Sequence, residues 1–582
     1  MNNILLDSLP IWTTAQAQKT SNRGIRASNQ QLLGIQKLRE LIMELGIRGK
    51  LVPQDSNDEL ASELLKKIEV EKKRLIKVGR IKKQTVLSDV EENDRLFQLP
   101  STWEWVKIGN VGYTQTGGTP SKNDNSLFGS DIPFIKPGDI YPNYVDYTNE
   151  GLSFKGVDSL GRSAIEGSIL MVCIGTIGKC NSIDKICTFN QQINSISPYL
   201  IVSDFLLLAL RSKYFQDTAW EKSSSTTIAI LNKGKWENIG IPLPPLDEQH
   251  RIVERVNELM ALCDELEKEQ TNSNTAHETL VEVLLSTLTD AKNSNDFKEA
   301  WQRVAGCFDT LFTTEHSIDK LKQTILQLAV MGKLVRQDPN DEPASELLKK
   351  IAKEKARLGK EGKIKKQAVL PEITEEEKTF ELPEGWEWVR FNSIIQELKY
   401  GTSKMCDYEI PGSPVLRIPN IVKGYLDSSD LKFTILTDSE KKDLSLKEGD
   451  ILIIRSNGSV SIVGRSAIVD SNHIGFAYAG YLVRVRYSYE LSNPLFLKLV
   501  LDSTNTRAQI ELPIRTTSGV KNINSTEISQ LQMPMAPLSE QQRIVSKVDE
   551  LFALCDSLKE RISKAQEIQN VLAEEIVRRV VN

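Results

Sequence analysis

Apolar residues spaced alternately three and four positions apart mark the helices of this chain of 582 residues. One such seam, Ile252 to Leu266, follows a proline-rich stretch in the middle of the chain, and a longer one runs from Ile544 to Ile576. A narrow apolar stripe cannot bury itself, so both seams predict long helices that pack against other helices. Two shorter patterns, Ile35 to Leu45 and Ile318 to Leu328, predict amphipathic helices.

Each shorter pattern is followed by a glycine and then by a basic run. Gly49 and Gly332 are candidate C-caps of the two helices. Lys66–Lys83 and Lys349–Lys366 each hold nine Lys or Arg and two Glu, a net charge of 9 − 2 = +7, and both stretches are predicted to be helical. Each run is either a solvated helix face or an arm that contacts phosphates or a partner protein.

Between the helical regions the pattern changes to short apolar runs bounded by Gly, Asp or Asn, which is typical of strands. Examples are Ile132–Ile135, Ser168–Ile174 and Asp450–Ile454. These runs lie in two segments, residues 99–243 (the first head) and residues 382–535 (the second head). We predict that both heads are mixed α/β domains of one fold with different surface chemistry.

Two stretches of the chain occur twice. Ala61–Ile68 recurs letter for letter as Ala344–Ile351, at an offset of 344 − 61 = 283, within a repeat that begins at Ile35. Pro244–Val253 recurs as Ala536–Val545, at an offset of 536 − 244 = 292. A chain built as constant, variable, constant, variable predicts an internal pseudo-twofold repeat, in which two similarly mounted heads face different targets. Four unrelated amphipathic helices are the simpler alternative.

Composition narrows the chemistry mainly by exclusion. Hydrophobic residues make up 40% and charged residues 26% of the chain, and the net charge of −5 gives no overall basic excess that would indicate nucleic acid. Each head is also close to electrically balanced, so the affinity of this chain alone for DNA is expected to be modest. Seven cysteines without a C-x-x-C pair and four histidines predict neither a disulfide framework nor a zinc site. The chain begins without a signal-peptide pattern and lacks an apolar run of ~20 residues, so a cytoplasmic protein is expected.

Several motifs stand in the same order in both halves, although the copies are not exact: Tyr400-Gly-Thr-Ser403 replaces the Gly-Gly-Thr-Pro-Ser loop in the second head. They include Gly117-Gly-Thr-Pro-Ser121, the strand Ile132-Pro-Phe-Ile-Lys-Pro-Gly-Asp-Ile140, and Pro-Leu…Glu-Gln…Arg-Ile-Val after each head. Ser518-Gly-Val-Lys-Asn-Ile-Asn524 precedes the second of these proline motifs. With them, nearly the whole chain resembles the specificity subunits of type I restriction–modification systems.

This resemblance implies an α+β architecture, with two target-recognition domains held apart by long antiparallel coiled-coil helices. Each domain would recognise one half of a split, asymmetric DNA site, and the helix length would set the gap between the halves. The helical regions would bind two methyltransferase subunits, which carry S-adenosylmethionine and methylate adenine at N6. Nuclease–translocase subunits that use ATP and Mg²⁺ would join them. No cofactor, metal or catalytic residue is then expected in this chain.

The predicted domain boundaries follow the repeats. They are an N-terminal arm (1–34), a first helical and basic region (35–98), the first head (99–243), a central region with a coiled-coil helix (244–330), a second basic region (331–381), the second head (382–535) and a C-terminal coiled-coil helix (536–582).

Candidate DNA-contacting residues are forked donors and amides for base edges, with hydroxyls and lysines for phosphates. In the first head they are Gly117, Gly118, Thr119, Ser121, Lys122, Lys136, Thr176, Lys179, Gln191, Gln192 and Asn194. In the second head they are Thr402, Lys404, Arg417, Arg455, Asn457, Ser459, Arg465, Ser518, Lys521 and Asn522. Any one of these could instead serve a turn or a cap. Counted back from the proline motif, Ala229 and Ile230 stand where the second head has Lys521 and Asn522.

Two other classes of function remain open at this stage. A coiled-coil adaptor with protein-binding heads would fit the same composition, and exchange of a head would distinguish it. A methyltransferase or nuclease is the second alternative. Its motifs are absent: Asn493-Pro-Leu-Phe496 lacks the second proline of an adenine methyltransferase loop, and Glu71-Lys-Lys73 lies on a basic helix without a nearby Pro-Asp.

Overall fold

The computed structural model describes residues 9–15, 32–224, 228–365, 370–422, 424–512, 515–517 and 520–581. The chain forms two compact units, one made of residues 1–273 with 565–582 and the other of residues 274–564. The first unit contains the first head and the last turns of the chain. The second unit contains the second head.

Two long helices, Leu246–Asp290 and Leu538–Val581, run from one unit into the other. Their predicted seams are confirmed, because Ile252, Cys263 and Ile544 are buried in the cores of their units. The 292-residue offset continues to the ends of both helices: Ala573 takes the place of Val281 (573 − 292 = 281), and both are buried. The second repeat therefore covers the whole helix rather than its first turns only.

Each unit is built around a short helix of the first repeat, Leu33–Ile47 or Glu315–Val330. In the first unit Arg39 forms ion pairs with Asp264 and Glu267 of the long helix, at 2.6 and 2.7 Å. In the second unit the matching helix is held by Lys322, which pairs with Asp556 at 2.5 Å. One short helix thus packs against long helices in each unit.

Glycines end these helices as predicted. Gly49 and Gly332 adopt positive φ angles of 65° and 69° directly after the helices, so both C-caps are confirmed. The basic helices span Ala61–Lys77 and Ala344–Lys360. The prediction of helix to the end of each basic run is wrong for residues 79–83 and 362–365, because Gly79 and Gly362 also have positive φ angles and stop the helix. Lys366, the last residue of the second run, lies outside the described residues.

The first head consists of small sheets covered by short helices. The strands are β1 Glu104–Lys107, β2 Gly112–Thr116, β3 Phe128–Ile135, β4 Gly151–Leu152, β5 Ile169–Val172, β6 Cys180–Ser182, β7 Thr188–Phe189, β8 Ile193–Pro198 and β9 Gly240–Leu243. The central sheet is antiparallel with strand order β2-β8-β5-β6, beside smaller sheets β4-β3-β7 and β1-β9. The helices are Ile108–Val111, Phe154–Leu160, Ser203–Arg211, Lys213–Glu221 and Lys233–Glu237.

The second head repeats this plan, which confirms the predicted mixed α/β fold. Its strands are β10 Glu387–Arg390, β11 Ile395–Tyr400, β12 Ser413–Leu416, β13 Ile421–Val422, β14 Tyr425–Leu426, β15 Lys432–Thr434, β16 Ile451–Ile454, β17 Ser456–Asn457, β18 Ser466–Ile468, β19 Ala477–Tyr478, β20 Leu482–Tyr487, β21 Arg515–Thr517, β22 Val520–Asn522 and β23 Gln532–Met535. The central sheet has the order β11-β20-β16-β18, beside β15-β12-β19, β10-β23, β13-β14 and β17-β22-β21. The helices are Phe391–Ile394, Asp438–Leu444, Pro494–Asp502, Thr504–Glu511 and Ser525–Gln530.

Within the described part of the chain, three further α-helices lie outside the repeats and the heads. Leu9–Thr14 buries Trp12 in the core of the first unit. Ser294–Gly306 and Phe308–Leu311 follow the first long helix and pack in the second unit.

Candidate nucleic-acid interface

Backbone hydrogen bonds align the two heads position by position. The N–H of Gly117 donates to the carbonyl of Ile193 at 2.9 Å, and the N–H of Gly401 donates to the carbonyl of Leu482 at 3.3 Å. Gly401, between β11 and the next loop, therefore corresponds to Gly117 after β2. The Gly-Gly-Thr-Pro-Ser loop of the first head thus has a counterpart that begins at Gly401 in the second.

These two glycines serve the packing of the loop. A Cβ atom at Gly117 would lie 2.0 Å from the carbonyl oxygen of Asn190, and one at Gly401 would lie 2.1 Å from that of Tyr478. Only glycine permits this approach of two backbones. At Gly118 the nearest atom to a Cβ would be a side-chain carbon of Leu160 at 3.3 Å, so this glycine is not required in the same way.

The predicted loop and the amide cluster of the first head lie together. The hydroxyl of Thr119 donates to the side chain of Gln191, which is exposed. Ser121 and Lys122, in the same loop as Thr119, are exposed, and so is Thr176. The structure therefore joins residues that are more than fifty positions apart into one polar surface.

Asn194, however, does not reach this surface. It is only 2% exposed, and its amide donates to the sulfur of Cys173 at 3.2 Å and accepts from the hydroxyl of Thr116 at 2.8 Å. The prediction that Asn194 contacts DNA is corrected, because strand β8 turns this side chain inward. Gln192 is half-buried and accepts from Asn190 at 3.1 Å.

Strand Ile169–Val172 in the first head corresponds to strand Ile451–Ile454 in the second, but the residues that follow these strands differ. The N–H of Cys173 donates to the carbonyl of Gln192 at 2.8 Å, and the N–H of Arg455 donates to the carbonyl of Tyr481 at 2.9 Å. These two bonds make Cys173 the counterpart of Arg455 and Gln192 the counterpart of Tyr481. A buried thiol in one head therefore stands where the other head has an arginine.

The same alignment continues on the other side of this residue. The N–H of Leu231 donates to the carbonyl of Cys173, and that of Ile523 donates to the carbonyl of Arg455. Ile230 directly precedes Leu231, and Asn522 directly precedes Ile523. The structure therefore confirms the alignment of Ile230 with Asn522 that was made from the sequence.

Lys521 and Asn522 lie on a strand next to another candidate residue, Asn457. They form β22, in which Asn522 pairs with Ser456 and Lys521 pairs with Asn457. The carbonyl oxygen of the Asn457 side chain accepts from the N–H of Ser459 at 2.9 Å, so it stabilises a turn. Ser518 lies outside the described residues.

Three of the candidate cations are held by carboxylates of their own head. Lys136 pairs with Glu150, Lys404 with Glu440 at 2.6 Å, and Arg417 with Asp430 at 3.0 Å. The hydrogen bond from Lys404 lowers the pKa of Glu440 to about 2. These cations first stabilise loops, because a nearby carboxylate neutralises much of their field.

Four other candidate cations have no carboxylate partner within the described parts of the heads: Lys122, Lys179, Arg455 and Arg465. Lys179 donates to the carbonyl of Pro137 at 2.8 Å and lies 5.5 Å from the ring centroid of Tyr141. Arg465 donates to the carbonyl of Ser461 at 2.9 Å. Their positive charge remains available to an anionic ligand.

Exposed tyrosines were missed in the sequence. Tyr141 and Tyr144 stack with ring centroids 4.6 Å apart in the loop after β3. In the second head Tyr425 and Tyr481 are 77% and 60% exposed. The signal was present as Tyr-Pro-Asn-Tyr directly after the Gly-Asp-Ile motif, in a loop where an apolar ring has no core to fill.

The described residues contain no group of three or more His, Cys, Asp or Glu side chains placed to hold a metal ion. None of the helices described here is long and apolar enough to span a membrane. What the geometry provides in each head is a polar, partly cationic and aromatic surface.

Comparison with known proteins gives this surface a context. Residues 100–274 and 383–568 match the family model for the type I restriction modification DNA specificity domain. The chain is 40% identical over 600 residues to the specificity subunit of the type I restriction enzyme EcoAI of Escherichia coli, and both chains are covered completely. It is 35% identical over 611 residues to the EcoEI specificity subunit of Escherichia coli, again over both whole chains.

Solved structures are more distantly similar. The crystal structure of the HsdS subunit from Thermoanaerobacter tengcongensis is 17% identical, with a TM-score of 0.38, and covers 84% of this chain and 99% of that chain. A structure from work on complex assembly and conformational transition of the type I R-M system is 16% identical, with a TM-score of 0.47 and the same coverage.

Proposed function

The chain belongs to the family of type I restriction–modification specificity subunits, and from this premise we propose that each head recognises one half of a bipartite, asymmetric DNA site. As a specificity subunit, the protein binds DNA within a complex with other subunits and performs no catalytic step itself. We assign recognition to residues 99–243 and 382–535.

The observation that carries this proposal is that one backbone plan bears different side chains in the two heads. Gln191 and Gln192 in the first head stand where the second has Gly480 and Tyr481, by the register of the backbone hydrogen bonds. Bases are distinguished by the pattern of donors and acceptors that a protein presents to them. Two heads with different patterns on one scaffold would therefore recognise two different half-sites.

The candidate residues divide into two roles in this proposal. Exposed or unpaired groups, such as Gln191, Lys179 and Arg455, face the DNA. Lys136, Lys404 and Arg417, each held by a carboxylate, position the loops that carry them. Phosphate contacts then orient the subunit, and fewer side chains select the sequence.

The repeated helical regions favour two identical partners. Each unit presents a helix of the first repeat packed against long helices, and we propose that these two matching regions are two copies of one docking surface. We assign them to two methyltransferase subunits that carry S-adenosylmethionine and methylate adenine at N6. Nuclease–translocase subunits that use ATP and Mg²⁺ complete the complex. Because its target is the DNA of the cell, we place its action in the cytoplasm.

Exchange of one head tests the proposal. Residues 99–243 are replaced by the corresponding segment of a related subunit, and methylated adenines are mapped in a host that also carries the methyltransferase subunits. We expect one half of the methylated motif to change and the other half to stay. If the motif does not change, the heads do not select DNA and a protein-binding adaptor becomes the better description.

A further inference from the structure

We infer that Arg455 recognises a guanine in the half-site bound by the second head, with Tyr400 and Tyr481 framing the position of that base. This inference rests on the proposed function and assigns one position of the recognised sequence. The site is a cavity of about 670 Å³ whose lining includes Thr402, Lys404, Arg417, Gly480 and the two residues Arg455 and Tyr481.

The backbone of Arg455 is fixed on both sides. Its N–H donates to the carbonyl of Tyr481 and its carbonyl accepts from the N–H of Ile523, both at 2.9 Å. The residue follows directly on strand Ile451–Ile454, whose four side chains are all buried. A side chain that selects a base must start from such a rigid element, since small displacements would misalign its donors.

The guanidinium is held in place but keeps donors unused. Its carbon lies 4.5 Å from the ring centroid of Tyr400, and the hydroxyl of Tyr400 accepts from the N–H of Ser525 at 2.8 Å. The Nε of Arg455 is buried and has no acceptor within the described residues, and Nη1 makes only a long 3.5 Å contact with the carbonyl of Gly480. The buried Nε stays inside the protein, so the two Nη groups are the donors that a ligand can use.

The other cations of the cavity are already neutralised. Lys404 pairs with Glu440 at 2.6 Å, and Arg417 pairs with the carboxylate and also donates to the backbone carbonyl of Asp430, both at 3.0 Å. No carboxylate within the described residues approaches Arg455 in this way. The buried Nε of Arg417 also lacks an acceptor, so unused donors do not distinguish these residues. Of the three, Arg455 is the cation whose charge no carboxylate offsets, and this charge is what a ligand can use.

Guanine is the base that fits this group. Its major-groove edge presents two acceptors, O6 and N7, which match two parallel N–H donors of an arginine fork. Adenine places a donor beside its N7 and would leave one N–H of Arg455 facing another donor. Tyr481, 60% exposed beside the cavity, offers an apolar face against which the base pair can rest.

The first head has no arginine at the position equivalent to Arg455. Cys173 occupies the same backbone environment, is 3% exposed, and accepts from the amide of Asn194 at 3.2 Å. The guanine contact thus belongs to the second half-site alone.

The test compares Arg455→Ala and Arg455→Lys with the wild type in the assembled methyltransferase complex. Methylated motifs are mapped in a host genome, and binding is measured on duplexes in which each base pair of the second half-site is varied. The matched control is Lys441→Ala, which removes one charge from the helix Asp438–Leu444 of the same head. Thermal unfolding of each variant shows whether it is folded.

We expect both Arg455 variants to relax one G·C position of the second half-site, by about ten- to a hundredfold in discrimination. The first half-site and the other positions should keep their preferences, and Lys441→Ala should change none. Because lysine keeps the charge but lacks the fork, Arg455→Lys decides the matter if the alanine variant fails to fold.

Three results would overturn the inference while leaving the proposed function intact. One is a second half-site without any G·C pair. Another is a uniform loss of affinity over all sequences, which would make Arg455 a phosphate contact. The third is an unchanged motif and affinity in both variants. Exchange of a whole head that left the motif unchanged would instead overturn the proposed function itself.

Discussion

Trp103 donates its indole N–H to the buried carboxylate of Glu248 at 2.9 Å. The same bond is repeated in the second unit, where Trp386 donates to Glu540 at 3.0 Å. Trp103 belongs to the repeat that begins at Ile35, and Glu248 belongs to the repeat that begins at Pro244, in the first turn of a long helix. The two repeated stretches of the sequence therefore contact each other through this bond. It fixes the base of each head to a long helix.

The pair predicts a pH-dependent contribution of Glu248 to stability. Burial raises the pKa of Glu248 above its ordinary value in the folded protein. Its contribution is therefore complete below the pKa of the unfolded chain and is lost as the pH rises through the folded pKa. Glu248→Gln removes this titration but can still accept from Trp103.

We expect the difference in unfolding free energy between Glu248→Gln and the wild type to shift in favour of the variant as the pH rises from about 4 to 7. Urea unfolding of the first unit at several pH values measures it. Glu248→Ala is the reference for loss of the acceptor and should cost about 1–3 kcal/mol, because the indole N–H is left unpaired. If the difference in unfolding free energy stays constant with pH, the pKa of Glu248 is not raised in the folded protein.

Gly117 and Gly401 should not tolerate alanine. Their Cβ atoms would meet backbone oxygens at 2.0 and 2.1 Å, so a strand must move. We expect each substitution to lower stability by about 1–3 kcal/mol and to weaken recognition of the half-site of its own head only. Thermal unfolding and methylation of variant half-sites measure both effects.

Gly118→Ala is the matched control for this prediction. Its Cβ would meet only a flexible side-chain carbon of Leu160 at 3.3 Å, so the variant should behave as the wild type. Equal effects at Gly117 and Gly118 would show that the close backbone approach does not matter.

Two lysines of the first head should differ in their contribution to DNA binding. Lys179 has no carboxylate partner within the described residues, whereas Lys136 is paired with Glu150. Lys179→Ala should reduce affinity for all sequences and lower the slope of log K against log salt by about 1, since one phosphate contact is lost. Lys136→Ala should leave the slope unchanged. Titrations of the complex with DNA at several salt concentrations measure both slopes. Equal slopes for the two variants would contradict the distinction between the lysine that has a carboxylate partner and the one that does not.

The long helices should determine the gap between the half-sites. Both units are joined by continuous helix at residues 273–274 and 564–565. Insertion of four residues at each place adds about 6 Å of helix, since each residue adds about 1.5 Å. We expect a longer spacer and unchanged half-site sequences when methylated adenines are mapped. An unchanged spacer would show that helix length does not set it.

Local patterns explain why much of the fold could be predicted. The seam containing Ile252 and Val256 depends only on residues a turn apart, and the two repeats reveal their common architecture without any contact being known. The C-caps at Gly49 and Gly332 are equally local, because a single positive φ angle stops the helix.

The candidate surface was predictable only in part, because its roles depend on contacts between distant residues. The burial of Asn194 follows from the register of β8 against β2. The ion pair of Arg417 with Asp430 depends on how a loop folds back. Tyr481 could be matched to Gln192 only through a backbone hydrogen bond that both heads share. Counting residues from the proline motif does not give this match, because the heads differ in length between the motif and these two residues.

The most direct test of the central claim is to map the methylated adenines left by the wild-type chain together with its methyltransferase subunits. The account predicts one motif made of two different specific half-sites separated by a fixed number of unspecified base pairs. A contiguous motif without such a gap, or a motif that survives deletion of either head, would contradict it.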